Sequence, residues 1–122
     1  MENLDQTISI RPDYVLVERP PGYEVVLSEQ ASALLELSTA CIKAECKKVL
    51  ILGPRTKMSL TAFDILELGA EIAKLDLQLA IVELHNASDD AVSLLESAAQ
   101  NRGGAVRFFD GVEDAKDWLG IG

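Results

Sequence analysis

The densest group of side chains able to do chemistry is the run Arg55-Thr56-Lys57-Met58-Ser59-Leu60-Thr61-Ala62-Phe63-Asp64. Ser59 and Thr61 fall where a helix should begin. Their hydroxyls would meet unpaired backbone N–H groups and the positive end of a helix dipole, a setting suited to an anion or a phosphoryl group. Ser and Thr are also preferred there for capping alone. Arg55 and Lys57 place two cations beside them on a chain of formal net charge −9, where they suit an acidic partner or a phosphate. Arg55, Thr56, Lys57, Met58, Ser59, Thr61 and Asp64 therefore form the candidate partner or regulatory surface.

A second candidate, His85, follows the apolar run that ends at Leu84. It should lie at the carboxyl edge of a parallel sheet, where open α/β folds place ligands. A general base there needs an orienting partner and a substrate pocket. Its neighbours Asn86, Ser88, Asp89 and Asp90 read instead as loop and helix-start residues, so His85 is a ligand-edge candidate and no catalytic residue is assigned. Asp64, Glu67 and Glu71 recur at helical spacing and read as a solvated face, because carboxylates are seldom buried without partners. Gly53-Pro54-Arg55 lacks the spaced glycines and lysine of a nucleotide-binding loop. Cys41 and Cys46 are the only thiols. Five residues apart in a predicted helix, they sit about 140° apart around its axis and should not bond to each other. They read as reduced, small core hydrophobes. With one histidine and no Cys-x-x-Cys pair, neither a metal site nor a cofactor is expected.

These residues must be held by regular elements. Thr7 to Ile10 and Tyr14 to Glu18 are β-prone runs around the turn-forming Arg11-Pro12-Asp13, an N-terminal hairpin. Tyr23 to Leu27 reads equally as strand or loop. Ser28 with Glu29 marks an N-cap, and Ala31, Leu34, Leu35, Ser38, Cys41 and Ile42 recur at helical spacing up to about Glu45. Val49 to Leu52 is a continuous apolar run stopped by Gly53-Pro54, as in a strand buried on both faces. The next helix carries Phe63, Leu66, Ala70 and Ala73 on one side and Ile65, Leu68 and Ile72 beside them. Its Gly69 costs about 1 kcal/mol against Ala, which close approach to the sheet would explain. Leu77 to Leu84 is a further strand. A third helix, capped by Asn86 or Ser88, turns Val92, Leu95 and Ala99 inward and closes at Gly103-Gly104. Ala105 to Phe109 is the last strand. Asp110 and Glu113 resemble a capping box opening a final helix, which Trp118 and Leu119 anchor.

The order β-β-α-β-α-β-α-β-α implies an α/β fold: a mainly parallel sheet of about five strands with an antiparallel N-terminal edge strand, flanked by four helices. Residues 1–122 read as a single domain, with no internal repeat or linker. At 48% hydrophobic residues and few aromatics, the core should be built from Leu, Ile, Val and Ala. The acidic balance disfavours nucleic acid, whose binding depends on Lys and Arg neutralising phosphates. It also disfavours anionic headgroups, and no apolar run approaches the roughly 20 residues of a membrane span. Met1 to Asp5 lacks the basic start of a secretory signal, so a cytoplasmic location is the expectation.

The passage Val49-Leu50-Ile51-Leu52-Gly53 through Met58-Ser59-Leu60-Thr61-Ala62-Phe63-Asp64, the strand Leu79-Ala80-Ile81-Val82, and the closing Phe108-Phe109 with Glu113-Asp114-Ala115-Lys116-Asp117-Trp118-Leu119 resemble the SpoIIAA-like, STAS-type family. The resemblance spans about Tyr14 to Leu119. It implies a non-enzymatic regulatory or protein-interaction module; its alternatives are a carrier of a small hydrophobic ligand and, more remotely, an enzyme of unknown reaction. Anti-sigma-factor antagonists of that family carry a phosphorylated serine in an Asp-Ser-Ser-Gly-type motif. Here the corresponding stretch, Thr56-Lys57-Met58-Ser59-Leu60-Thr61-Ala62, has neither the paired serines nor the glycine, which points to the uncharacterised SpoIIAA-like branch. The partners these readings allow are a protein, a small lipophilic molecule or a second copy of the chain.

Overall fold

The hairpin, the apolar central runs and the helices between them assemble around one five-stranded sheet. A computed structural model describes residues 6–20, 23–25, 27–53, 57–58, 60–83 and 89–121. In chain order the elements are β1 (Thr7–Ile10), β2 (Val15–Glu18), β3 (Glu24–Val25), α1 (Leu27–Ala44), β4 (Lys48–Gly53), β5 (Lys57–Met58), α2 (Ala62–Lys74), β6 (Gln78–Glu83), α3 (Asp89–Gln100), β7 (Ala105–Phe109) and α4 (Val112–Leu119). The sheet runs β1-β2-β4-β6-β7. β1 is the antiparallel edge, paired Ile10↔Val15 across a turn closed by the Arg11 N–H donating to the Tyr14 carbonyl at 2.9 Å. The other pairings are parallel, in register Val17↔Ile51, Ile51↔Ile81 and Ile81↔Phe108.

From β2 each crossover advances one strand in the same direction, so crossovers of one hand put α1, α2 and α3 on the same face. Val15, Val49, Leu79 and Val106 form a row across that face, with Val17, Ile51 and Ile81 one pleat further on. They pack against Leu37 and Cys41 of α1, Ile65, Leu68 and Ile72 of α2, and Leu95 and Ala99 of α3. The continuous apolar runs are explained by the second face, where Leu16, Leu50, Ala80 and Val82 lie under Ala115, Leu119 and Ile121. Half-buried Trp118 lies against the Phe109 ring at 5.7 Å, and its carbonyl accepts from Gln78 Nε2 at 3.1 Å. Trp118 and buried Leu119 hold α4 to the sheet, as expected.

β4 does stop at Gly53, which is itself the last residue of the strand. Several local expectations are corrected. Ser28 lies inside α1 and not at its cap. In the stretch Tyr23 to Leu27, which reads equally as strand or loop, Glu24–Val25 forms the two-residue strand β3, parallel to β5, and Leu27 begins α1. Gly69 makes its close approach to α3, not to the sheet: a Cβ there would stand 2.6 Å from the Ala98 Cβ. The N-cap of α4 is Gly111, with no side-chain capping bond, so Asp110 and Glu113 form no box. Gly103-Gly104 does close α3. Gly103 has φ of 84°, and the N–H groups of Gly103 and Gly104 donate to the carbonyls of Gln100 and Ala99 at 3.0 and 2.8 Å, a Schellman arrangement. The same arrangement ends α1 at Glu45, a non-glycine residue at φ 53°. Cys46 is therefore beyond the helix.

Candidate functional site

Thr61 is the N-cap of α2. Its Oγ accepts from the Asp64 N–H and the Asp64 carboxylate accepts from the Thr61 N–H, each at 3.1 Å. This reciprocal box satisfies two of the helix's orphan donors and places a negative charge at the positive end of the dipole. Asp64 thereby leaves the carboxylate stripe. Of the other two, Glu67 is exposed and Glu71 pairs with Lys74 at 3.1 Å, so the three acids do not converge as an acid–base pair. Lys57 and Met58 place their backbone in β5 against Glu24 and Val25. Arg55, Thr56, Ser59 and His85 lie outside the described residues, as do Asn86 and Ser88.

Beside the box, only one of the two apolar rows of α2 turns into the core. Ile65, Leu68, Gly69 and Ile72 are buried, but Phe63 is 68% exposed and Leu66 is exposed as well. The burying stripe is narrow because α3 approaches so closely at Gly69 that no room remains for large side chains on that flank. Phe63 projects from the first turn of α2, next to Thr61 and Asp64.

On its other flank α2 meets α1 loosely. A surface groove of about 330 Å³ runs between them, with Leu34 and Leu35 on one wall and Leu68 and Leu75 on the other. Leu35 and Ile42, 68% and 76% exposed, lie seven residues apart along α1. Beneath the groove is a cavity of about 40 Å³, bounded by α1, α2, α3 and the sheet residues Val17, Ile51, Leu79 and Ile81. Gln30, Leu34 and Leu68 border both spaces. Gln30, in the first turns of α1, is only 6% exposed, and its Nε2 has no hydrogen-bond partner. A buried donor left unpaired costs about 1–3 kcal/mol, so it marks a place where packing was not optimised for stability alone. The other polar side chains lining the cavity are Gln6 and Arg19. Arg19 Nε donates to Gln6 Oε1 at 3.4 Å, and its guanidinium lies over the Tyr23 ring at 5.0 Å. All three follow or face the carboxyl ends of the parallel strands. Sequence reasoning missed Gln30 because a lone glutamine among helix residues reads as solvent-facing.

The thiols are free, as expected. Burial, reinforced by the neighbouring Cys46, pushes the Cys41 thiol up to about 11 from its ordinary 9.0. Cys46 is half-buried; its Sγ lies 3.4 Å from the Asp13 carbonyl and accepts from the Lys48 N–H at 3.4 Å. Among the described residues no cluster of His, Cys, Asp or Glu is arranged to hold a metal ion, and no helix is long and apolar enough to cross a membrane.

No protein-family model and no curated protein matches the chain. Among solved structures it is similar to an uncharacterised protein of the DUF3478 family from Shewanella loihica PV-4, which has a SpoIIAA-like fold. The two are 23% identical with a TM-score of 0.55, over 98% of this chain and 95% of that one. The architecture here is thus a SpoIIAA-like α/β fold, in agreement with the strand order and with the resemblance read from the sequence.

Proposed function

We propose that the chain is a non-enzymatic, STAS-like protein-interaction module whose partner surface is centred on the start of α2, over Arg55, Thr56, Lys57, Met58, Ser59, Thr61 and Asp64. The observation that supports this is the exposure of Phe63 within that segment. An aromatic side chain supplies large contact area at small entropic cost and is the usual kind of interface anchor. Lys57 and Arg55 on an acidic chain would steer an acidic partner to it. A photo-crosslinking residue at position 63 should capture a protein in cells, whereas the same residue at exposed Glu113 on α4 should not. Lys57→Glu, and Thr61→Asp, which keeps a competent N-cap while adding charge, should each weaken that partner's affinity with the fold intact. Equal capture from positions 63 and 113, or affinity unmoved by both substitutions, removes the proposal.

A second reading, binding of a small apolar molecule, is favoured by the cavity beneath α1, whose lining is apolar apart from Gln6, Arg19 and Gln30.

A further inference from the structure

The cavity under α1 has a polar end and an apolar end. Gln6, Arg19 and Gln30 lie at the carboxyl edge of the sheet, where open α/β folds receive ligands. Leu79, Ile72 and Leu95 extend the lining inward. Gln30 is 94% buried by the complement of its 6% exposure, and its Nε2 offers N–H groups that no protein acceptor takes. Any molecule seated here must present an acceptor to that amide and apolar surface to the rest. A cation or a donor-only head would leave Nε2 unpaired and face the Arg19 guanidinium.

From this geometry we infer a site for an aliphatic monocarboxylate: its carboxylate accepts from Gln30 Nε2 near the Arg19 guanidinium, and its alkyl chain lies between α1, α2 and the sheet. The inference rests on the small-apolar-ligand reading and specifies the head group. At about 40 Å³ the enclosed space holds about three waters, by the measure of roughly 10–15 Å³ for each. The adjoining groove of about 330 Å³ is separated from it by the side chains of Leu34 and Leu68 with Gln30. Rotation of half-buried Leu34 would open the enclosed space towards the groove, and the two together reach the lower end of the usual ligand-pocket range of about 300–1,000 Å³.

The test is a titration of the intact chain with octanoate, and separately with toluene as an apolar probe without a carboxylate, followed by the ¹H–¹⁵N resonances of the Gln30 side-chain amide and the methyl groups of Leu34 and Ile81. Octanoate should shift all three sets. Gln30→Leu, which removes the unpaired amide and should fold at least as stably, should raise the octanoate Kd tenfold or more and leave toluene unaffected. If toluene binds but octanoate binds no more tightly to the parent chain than to Gln30→Leu, the carboxylate assignment is overturned while the apolar-ligand reading stands. If neither probe perturbs the cavity residues, both fail.

Discussion

On its α3 side, α2 carries Gly69 and Ala73, and Ala98, Ala99 and Gly104 come up against them so closely that a Cβ on Gly69 or Gly104 would sit 2.6 or 2.9 Å from the nearest atom. On its α1 side the same helix presents Leu68, Glu71 and Leu75 to an open groove. Small residues let two helix backbones approach until nothing fits between them. Large ones facing large ones leave space that must be filled or exposed. One flank is therefore built for rigidity, and the other keeps exposed Leu35, the buried cavity and the unpaired Gln30 amide. Both candidate surfaces of this protein, the Phe63 turn and the α1–α2 groove, follow from how α2 divides its sides.

Removing core packing between α3 and the sheet should have the largest effect. Leu95→Ala, at a fully enclosed position of α3, should destabilise by about 2–5 kcal/mol in denaturant unfolding. Equal stability in parent and variant would mean that α3 is not packed on the sheet as described. Overfilling the tight flank comes next. Gly69→Ala gains about 1 kcal/mol of helix propensity but overpacks against Ala98, for about 1–3 kcal/mol lost, so the net change should be a loss. A net gain would show that α3 can retreat. Thr61→Ala should cost about 1 kcal/mol by opening the capping box at the start of α2, with Thr61→Ser restoring most of it.

Cys41 is buried on the inner side of α1, beyond the groove. Its thiol ionises near 11 in the folded chain against 9.0 ordinarily, so folding favours the neutral form. The stability contributed by this difference is complete below pH 9 and is lost as the pH rises to about 11. Denaturation midpoints should therefore fall over that window in the parent and fall less in Cys41→Ala. The smallest effect is expected on the groove wall itself: Leu35→Ser should change stability by no more than about 0.5 kcal/mol, and a larger loss would mean that the wall is packed.

The tight flank was partly legible in the sequence. Gly69 stood out as a helix residue needing a close neighbour, but propensity names no partner, and the neighbour proved to be α3. Val49 to Leu52 and Leu79 to Val82 were legible as buried strands because both faces of the sheet are covered and no polar residue interrupts them. Thr61 was one of two cap candidates, and the reciprocal bond from Asp64 distinguishes it. β3 and β5 were not legible, since two residues carry no period. The candidate surfaces were hidden for a related reason: Phe63, Leu66 and Gln30 each contradict the simple rule that apolar side chains turn inward and polar ones outward. Residues that break that rule are the ones on which both functional proposals depend.

Native-state hydrogen exchange tests the division most directly. Amides of β4, β6 and the α2–α3 seam should exchange only through global unfolding. Those of α1 from Leu34 to Ile42 should exchange through an opening of distinctly lower free energy that leaves the sheet protected. Protection of α1 equal to that of β4 under the same conditions would contradict the account, because α1 would then be as firmly seated as the helices packed through glycine.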